Sequence, residues 1–249
     1  MAKQESIFTL NGTICGITFY KTKDGYLAKE KSSLGGERFK SDPRFARSLE
    51  NWEEFKRSAL VGKVFKDAIK PFIKNASDSR LTGRITQLMS RILKEDFDSP
   101  RGLRHPANGI NSIASKHLLK GFNFNKNAIL SSILKKTFFI DPTSDAINIT
   151  SLNSTSDIEF PPGASHLKIS AGVLVIDLAT KIFDFQQTNL INIEKTDPPL
   201  TGNLTPAIPP VGLGVKMYLL KMEFYQEVNG FLYSFENGGF NAMEIIEVV

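Results

Sequence analysis

The spacing of apolar residues changes twice along this chain, near Ser41 and near Gly121, and sets a helix-forming stretch between a short alternating N-terminus and a sheet-forming C-terminal half. The first 31 residues are short alternating runs. Gly16-Ile-Thr-Phe-Tyr-Lys-Thr and Tyr26-Leu-Ala-Lys-Glu-Lys send successive side chains to opposite faces and flank Lys23-Asp24-Gly25. Asp-Gly supplies the positive φ angles of a tight antiparallel turn, so a β-hairpin is expected here. Ser32 to Gly36 reads as a flexible connector.

From Ser41-Asp42-Pro43 the period lengthens to three or four. A capping side chain is followed by a proline whose missing N–H costs nothing in a first helical turn. Phe45, Leu49, Trp52, Phe55, Ala59 and Leu60 then line one face, predicting a helix that buries an aromatic stripe and ends or kinks at Pro71. A second helix is expected from about Asp78 to Lys94, with Leu81, Ile85, Leu88, Met89, Ile92 and Leu93 on its buried face. A short third helix runs from Asn108 to Lys120 and stops at Gly121.

After Gly121 a period of two takes over. The expected strands are Phe122–Asn125, Lys135–Ile140, Ala146–Thr150, His166–Leu178, Lys181–Gln187, Gly214–Val228, Phe231–Phe235 and Phe240–Val249. Val228-Asn229-Gly230-Phe231 is the clearest hairpin signal. The stretch 196–211 carries Pro198, Pro199, Pro206, Pro209 and Pro210, each without a ladder donor, so it reads as a long loop or an edge arm. The expected fold is therefore α+β: an N-terminal β-hairpin and helical region over residues 1–120, then an immunoglobulin-like antiparallel β-sandwich over 121–249.

Composition alters this picture in two ways. Cys15 is the only cysteine, so there is no internal disulfide and no cysteine-rich zinc site. Charge is also segregated: residues 1–120 hold 23 Lys and Arg against 13 Asp and Glu, whereas 121–249 hold 8 against 13. A basic half suits nucleic acid or an anionic surface, and equally the acidic half of another copy. The opening residues carry no apolar segment of signal-peptide kind and no stretch is long enough to span a membrane, so a cytoplasmic location at synthesis is expected, with release as an assembly open.

No catalytic constellation emerges. The histidines are His105 before a proline, His117 in a helix and His166 at a strand start, and none stands in a nucleophile motif. Gly212-Leu-Gly214 and Leu34-Gly-Gly36 lack the remaining elements of a phosphate loop. Paired acids such as Glu53-Glu54 and Glu95-Asp96 fit a solvated helix face. No catalytic residue, cofactor or metal ligand is expected. Arg80, Arg84, Arg91, Arg101 and Arg104 are the candidate anion or nucleic-acid contacts, interleaved with acids and without a known reading motif.

Two stretches carry a resemblance. Gly12-Thr-Ile-Cys-Gly-Ile-Thr-Phe-Tyr-Lys-Thr-Lys-Asp-Gly-Tyr-Leu-Ala-Lys, followed by Pro43-Arg-Phe-Ala-Arg, and Met222-Glu-Phe-Tyr-Gln-Glu-Val-Asn-Gly with Asn241-Ala-Met-Glu-Ile-Ile, resemble the two ends of a family of uncharacterised Bacteroidetes proteins. The resemblance implies no reaction and transfers no functional residue. The expectation is a structural protein that self-assembles as a homo-oligomer or polymer (filament, tube or shell). Tyr20, Tyr26, Pro209, Ile245, Val248 and Val249 are its candidate contacts, and the last strand either offers an edge to a neighbour's sheet or completes the chain's own sandwich. The alternative is a nucleic-acid-binding protein that uses the basic helices.

Overall fold

The computed structural model describes residues 2–5, 8–23, 25–31 and 36–249. Asp24, at the centre of the expected N-terminal turn, and residues 32–35 of the expected connector lie outside the described residues. The chain is α+β with several antiparallel sheets, and it divides into two compact units, residues 1–50 and 51–249. The expected division at residue 120 thus falls inside the second unit.

In the first unit, β1 (Ala2–Lys3), β2 (Gly12–Ile14), β3 (Ile17–Thr22) and β4 (Gly25–Glu30) form an antiparallel sheet in the order β1-β4-β3-β2. β2 and β3 are joined by the two-residue turn Cys15-Gly16, with Ile14 opposite Ile17. Helix α1 (Gly36–Ser41) follows, then a 3₁₀ turn, Pro43–Phe45, opened by Asp42, whose carboxylate accepts the Arg44 N–H at 3.0 Å.

The second unit takes up helix α2 (Ala46–Ala68) beyond residue 50, then α3 (Lys70–Ile73), α4 (Leu81–Leu93), α5 (Pro106–Gly109), α6 (Ile113–Leu119) and α7 (Leu130–Ile133). Its strands are β5 (Phe139–Asp141), β6 (Ala146–Leu152), β7 (His166–Asp177), β8 (Ile182–Glu194), β9 (Leu200–Leu204), β10 (Val215–Val228), β11 (Phe231–Ser234) and β12 (Ala242–Val248). The order β11-β10-β7-β8, with β12 also on β10, makes a five-stranded sheet, and β5-β6-β9 a three-stranded one. The proline-rich stretch supplies β9, an edge strand made of the proline-free residues Leu200–Leu204, with the prolines on either side of it.

Both faces of β7 and of most of β10, at the centre of the five-stranded sheet, are buried, which explains why these strands read as nearly unbroken apolar runs. One face, through Leu174, Ile176, Met217, Leu219, Met243 and Ile245, shares a core with Phe65, Ile69, Ile85, Met89 and Ile92 of the helical region. The other, through Leu167, Ile169, Val173, Tyr218, Leu220 and Phe224, shares a second core with Ile147, Ile149 and Leu204 of the three-stranded sheet. The helical region between residues 51 and 119 is therefore a layer on the sheet, and this shared core is why no boundary falls at residue 120.

The six apolar positions expected on the second helix are all buried in α4. The stripe expected on the first is corrected: Trp52, Phe55 and Leu60 are 44%, 59% and 54% exposed, and α2 instead buries Ser58, Val61, Gly62, Phe65 and Ala68. At Gly62 a small residue is required because α2 approaches α4 closely there. A Cβ on Gly62 would stand 3.1 Å from the Ile85 side chain, so a large residue there would push the helices apart. Buried polar groups pin the layers. The Asn241 side chain donates to Asn75 O at 2.8 Å and accepts the Phe224 N–H at 2.9 Å, while Tyr218 Oη and Lys216 Nζ both donate to Asp145. The carboxylate raises the Tyr218 hydroxyl pKa further beyond what burial already does.

Candidate functional site

The N-terminal sheet presents one mainly apolar face. Register places Ile14, Ile17, Phe19, Ala28 and Tyr26 on it, and Thr13, Thr18, Tyr20 and Leu27 on the other. No described residue of the first unit is buried, and Phe8, Leu10, Ile14 and Ile17 are 80%, 45%, 54% and 43% exposed. Tyr20 and Tyr26 sit half-buried on opposite faces, each beneath a lysine: Lys29 Nζ is 5.5 Å from the Tyr20 ring centre and Lys21 Nζ 5.4 Å from that of Tyr26. These cations shield the rings and rim the sheet with positive charge.

A second exposed apolar surface lies on the β10–β11 hairpin. Asn229 and Gly230 close it at φ of 53° and 79°, the left-handed pair that a two-residue turn requires and that Asn-Gly adopts with least strain. β7 pairs with β10 only as far as Tyr225, opposite His166, so residues 226–234 form a two-stranded ribbon in which every residue is exposed. Gln226 opposite Tyr233 and Val228 opposite Phe231 share one face, with Val228 44%, Phe231 68% and Tyr233 57% exposed. Its root is tied by Ser165, whose hydroxyl accepts the Glu227 N–H at 2.9 Å and lies 2.9 Å from His166 Nδ1, while His166 Nε2 stands 3.6 Å from the Glu227 carboxylate. The sequence did not disclose this trio, because Glu227 arrives from a strand distant along the chain.

Of the two expectations for the last strand, the free edge is corrected. Ile245 and Val248 are buried in the chain's own core, and β12 pairs with β10 on one side. On its other side, Gly121 and Phe124 donate backbone N–H groups to Ile245 and Met243, and the Ile245 N–H reaches Phe122 O at 3.1 Å. With its donors and acceptors engaged, β12 has no edge to offer there. Val249 is exposed as a side chain, but its backbone pairs with Lys216 in both directions. Pro209 is exposed, next to the buried Pro210.

The five arginines do not converge. Arg84 and Arg91 line a groove of about 300 Å³ together with Lys120, Lys126 and Phe122. Arg84 is held by Asp78 and by the Asn123 and Phe124 carbonyls, and Lys120 by Glu247, so much of the positive charge is already neutralised. Arg101 donates to Asn51 at 3.1 Å, Arg104 is half-buried, and Arg80 is exposed at the start of α4.

The histidines stay apart from one another. The His105 ring accepts the Ala107 N–H at 3.1 Å and caps α5, and burial, reinforced by the Arg57 charge, lowers its pKa. His117 lies on α6 and His166 at the hairpin root. Burial alone would raise the Asp96 pKa, but hydrogen bonds from the His105 N–H, Ser99 and Asn108 bring it down to about 2. This carboxylate organises the loop between α4 and α5. Among the described residues, no group of three or more His, Cys, Asp or Glu could hold a metal ion, and no helix is long and apolar enough to cross a membrane.

The chain finds no match among protein-family models, curated proteins or solved structures.

Proposed function

We propose that this is a structural protein, without catalysis of its own, that assembles with copies of itself into a homo-oligomer or polymer. The observation that carries the reading is the N-terminal sheet: four strands, no buried residue among those described, and Ile14, Ile17 and Phe19 on a single face. So small a sheet needs an apolar face packed against something to hold together in water. Exposed apolar surface of this kind marks a place of association.

Charge supports the same reading. Within the second unit, the helical stretch 51–120 holds 14 Lys and Arg against 7 Asp and Glu, and the sheet-bearing stretch 121–249 holds 8 against 13. A body positive in one layer and negative in the other favours head-to-tail contacts, which extend where they do not close into a ring. The two sheets around the second core fit an immunoglobulin-like sandwich with an added helical layer, an architecture suited to presenting edges and loops. The resemblance to uncharacterised Bacteroidetes proteins, and a cytoplasmic origin with release as an assembly, belong to the same proposal.

Size-exclusion chromatography with light scattering, at low and high salt, and electron microscopy test it. Species heavier than 27.7 kDa that dissociate as salt rises are expected, and a strict monomer at high concentration and low salt would overturn the reading. The nucleic-acid alternative rests on the Arg84–Arg91 groove, and binding to DNA or RNA that falls steeply with salt would favour it instead.

A further inference from the structure

We infer that the β10–β11 hairpin is the surface on which the N-terminal sheet of a second copy docks, apolar face to apolar face; the inference rests on the self-assembly reading. The two surfaces lack the same thing. Residues 226–234 form a ribbon of two strands without a third, and such a ribbon is marginal in water on its own. Its face of Val228, Phe231 and Tyr233 is largely exposed. The sheet face of Ile14, Ile17 and Phe19 likewise belongs to a unit with no buried residue among those described. Packing one on the other removes both from water.

Charge selects the second copy as the occupant. Residues 222–249 contain five glutamates and no lysine, arginine or aspartate, with Glu223 paired to Lys221 and Glu247 to Lys120, whereas residues 1–31 carry five lysines against Glu5, Asp24 and Glu30. Glu236, exposed, follows the hairpin, and Lys21 shares the sheet face of Ile17 and Phe19, whereas Glu227 and Lys29 lie on the opposite faces of their strands. Opposite charges around two apolar centres steer these surfaces together and disfavour hairpin–hairpin or sheet–sheet pairing. Because the contact joins two different patches, each copy keeps one of each free, and the assembly grows head to tail.

Cys15, the exposed thiol at the β2–β3 turn, gives a direct test. A tagged Cys15→Ser/Gln226→Cys variant, mixed with the wild-type chain and treated with a short bismaleimide, is expected to yield a tagged crosslinked heterodimer. Gln226 is exposed and shares the face of Tyr233, so the new thiol lies at the contact. In parallel, Phe231→Lys/Tyr233→Lys, at two exposed positions, is expected to keep its circular dichroism and melting midpoint but to self-associate at least about tenfold more weakly. A wild-type chain that stays monomeric would remove the assembly reading and this inference with it. A wild-type chain that assembles, with no heterodimer crosslink and with the Lys variant assembling equally well, would overturn the docking inference alone.

Discussion

The two units hold apolar residues in different ways. The second encloses Phe65, Leu219, Phe224 and Ile245 in two cores on either side of one sheet, and ties the layers with buried Asn241, Asp145 and Asn125. The first arranges Ile14, Ile17, Phe19 and Tyr26 just as regularly on one sheet face and covers none of them fully. Alternation of apolar residues is therefore enough to make a sheet, but stability comes from what is laid on it.

The contrast can be broken most forcefully in the core. Phe224→Ala, in the second core, is expected to cost about 3–5 kcal/mol in denaturant unfolding, whereas Ile17→Ala is expected to leave the main transition unmoved. An Ile17→Ala effect as large as that of Phe224→Ala would show that the first unit has a core of its own. Next comes Asn241→Ala, which strands the Phe224 N–H and the Asn75 carbonyl in the interior and is expected to cost about 3 kcal/mol.

A smaller effect should follow pH. The Asp96 carboxyl is held at about 2, below its ordinary value of 3.8, so the ionised form is favoured in the folded state. The resulting stability, about 2 kcal/mol, is fully present above pH 4 and is lost as pH falls toward 2. Unfolding midpoints across that range should shift in the wild-type chain and much less in Asp96→Asn. Removal of residues 1–50 is expected to change the melting of the remaining unit least of all, within about 0.5 kcal/mol, while abolishing self-association. A large loss of stability on that deletion would show that the two units fold cooperatively.

Much of the architecture was legible in the residues. The α4 face, the Asn229-Gly230 hairpin and the long strands β7 and β10 each followed from a local rule of period or turn chemistry. The candidate surfaces were legible only in part. Tyr20 and Tyr26 do lie on the open sheet, yet Val228, Phe231 and Tyr233 looked like ordinary strand residues, and Ile245 and Val248 looked like an edge.

What the chain determined by itself is whatever depends on neighbours within a few positions: helix or strand, turn or cap, and which side chains share a face. What the tertiary structure alone decided is which of those faces finds a cover. Ile245 is buried because the helical region packs on its face of the sheet, and Phe231 is exposed because the β10–β11 hairpin runs past the last β7 pair and beyond the layers that cover the sheet. Both outcomes are set by segments far away along the chain, and burial is a property of such meetings rather than of the pattern that makes them possible.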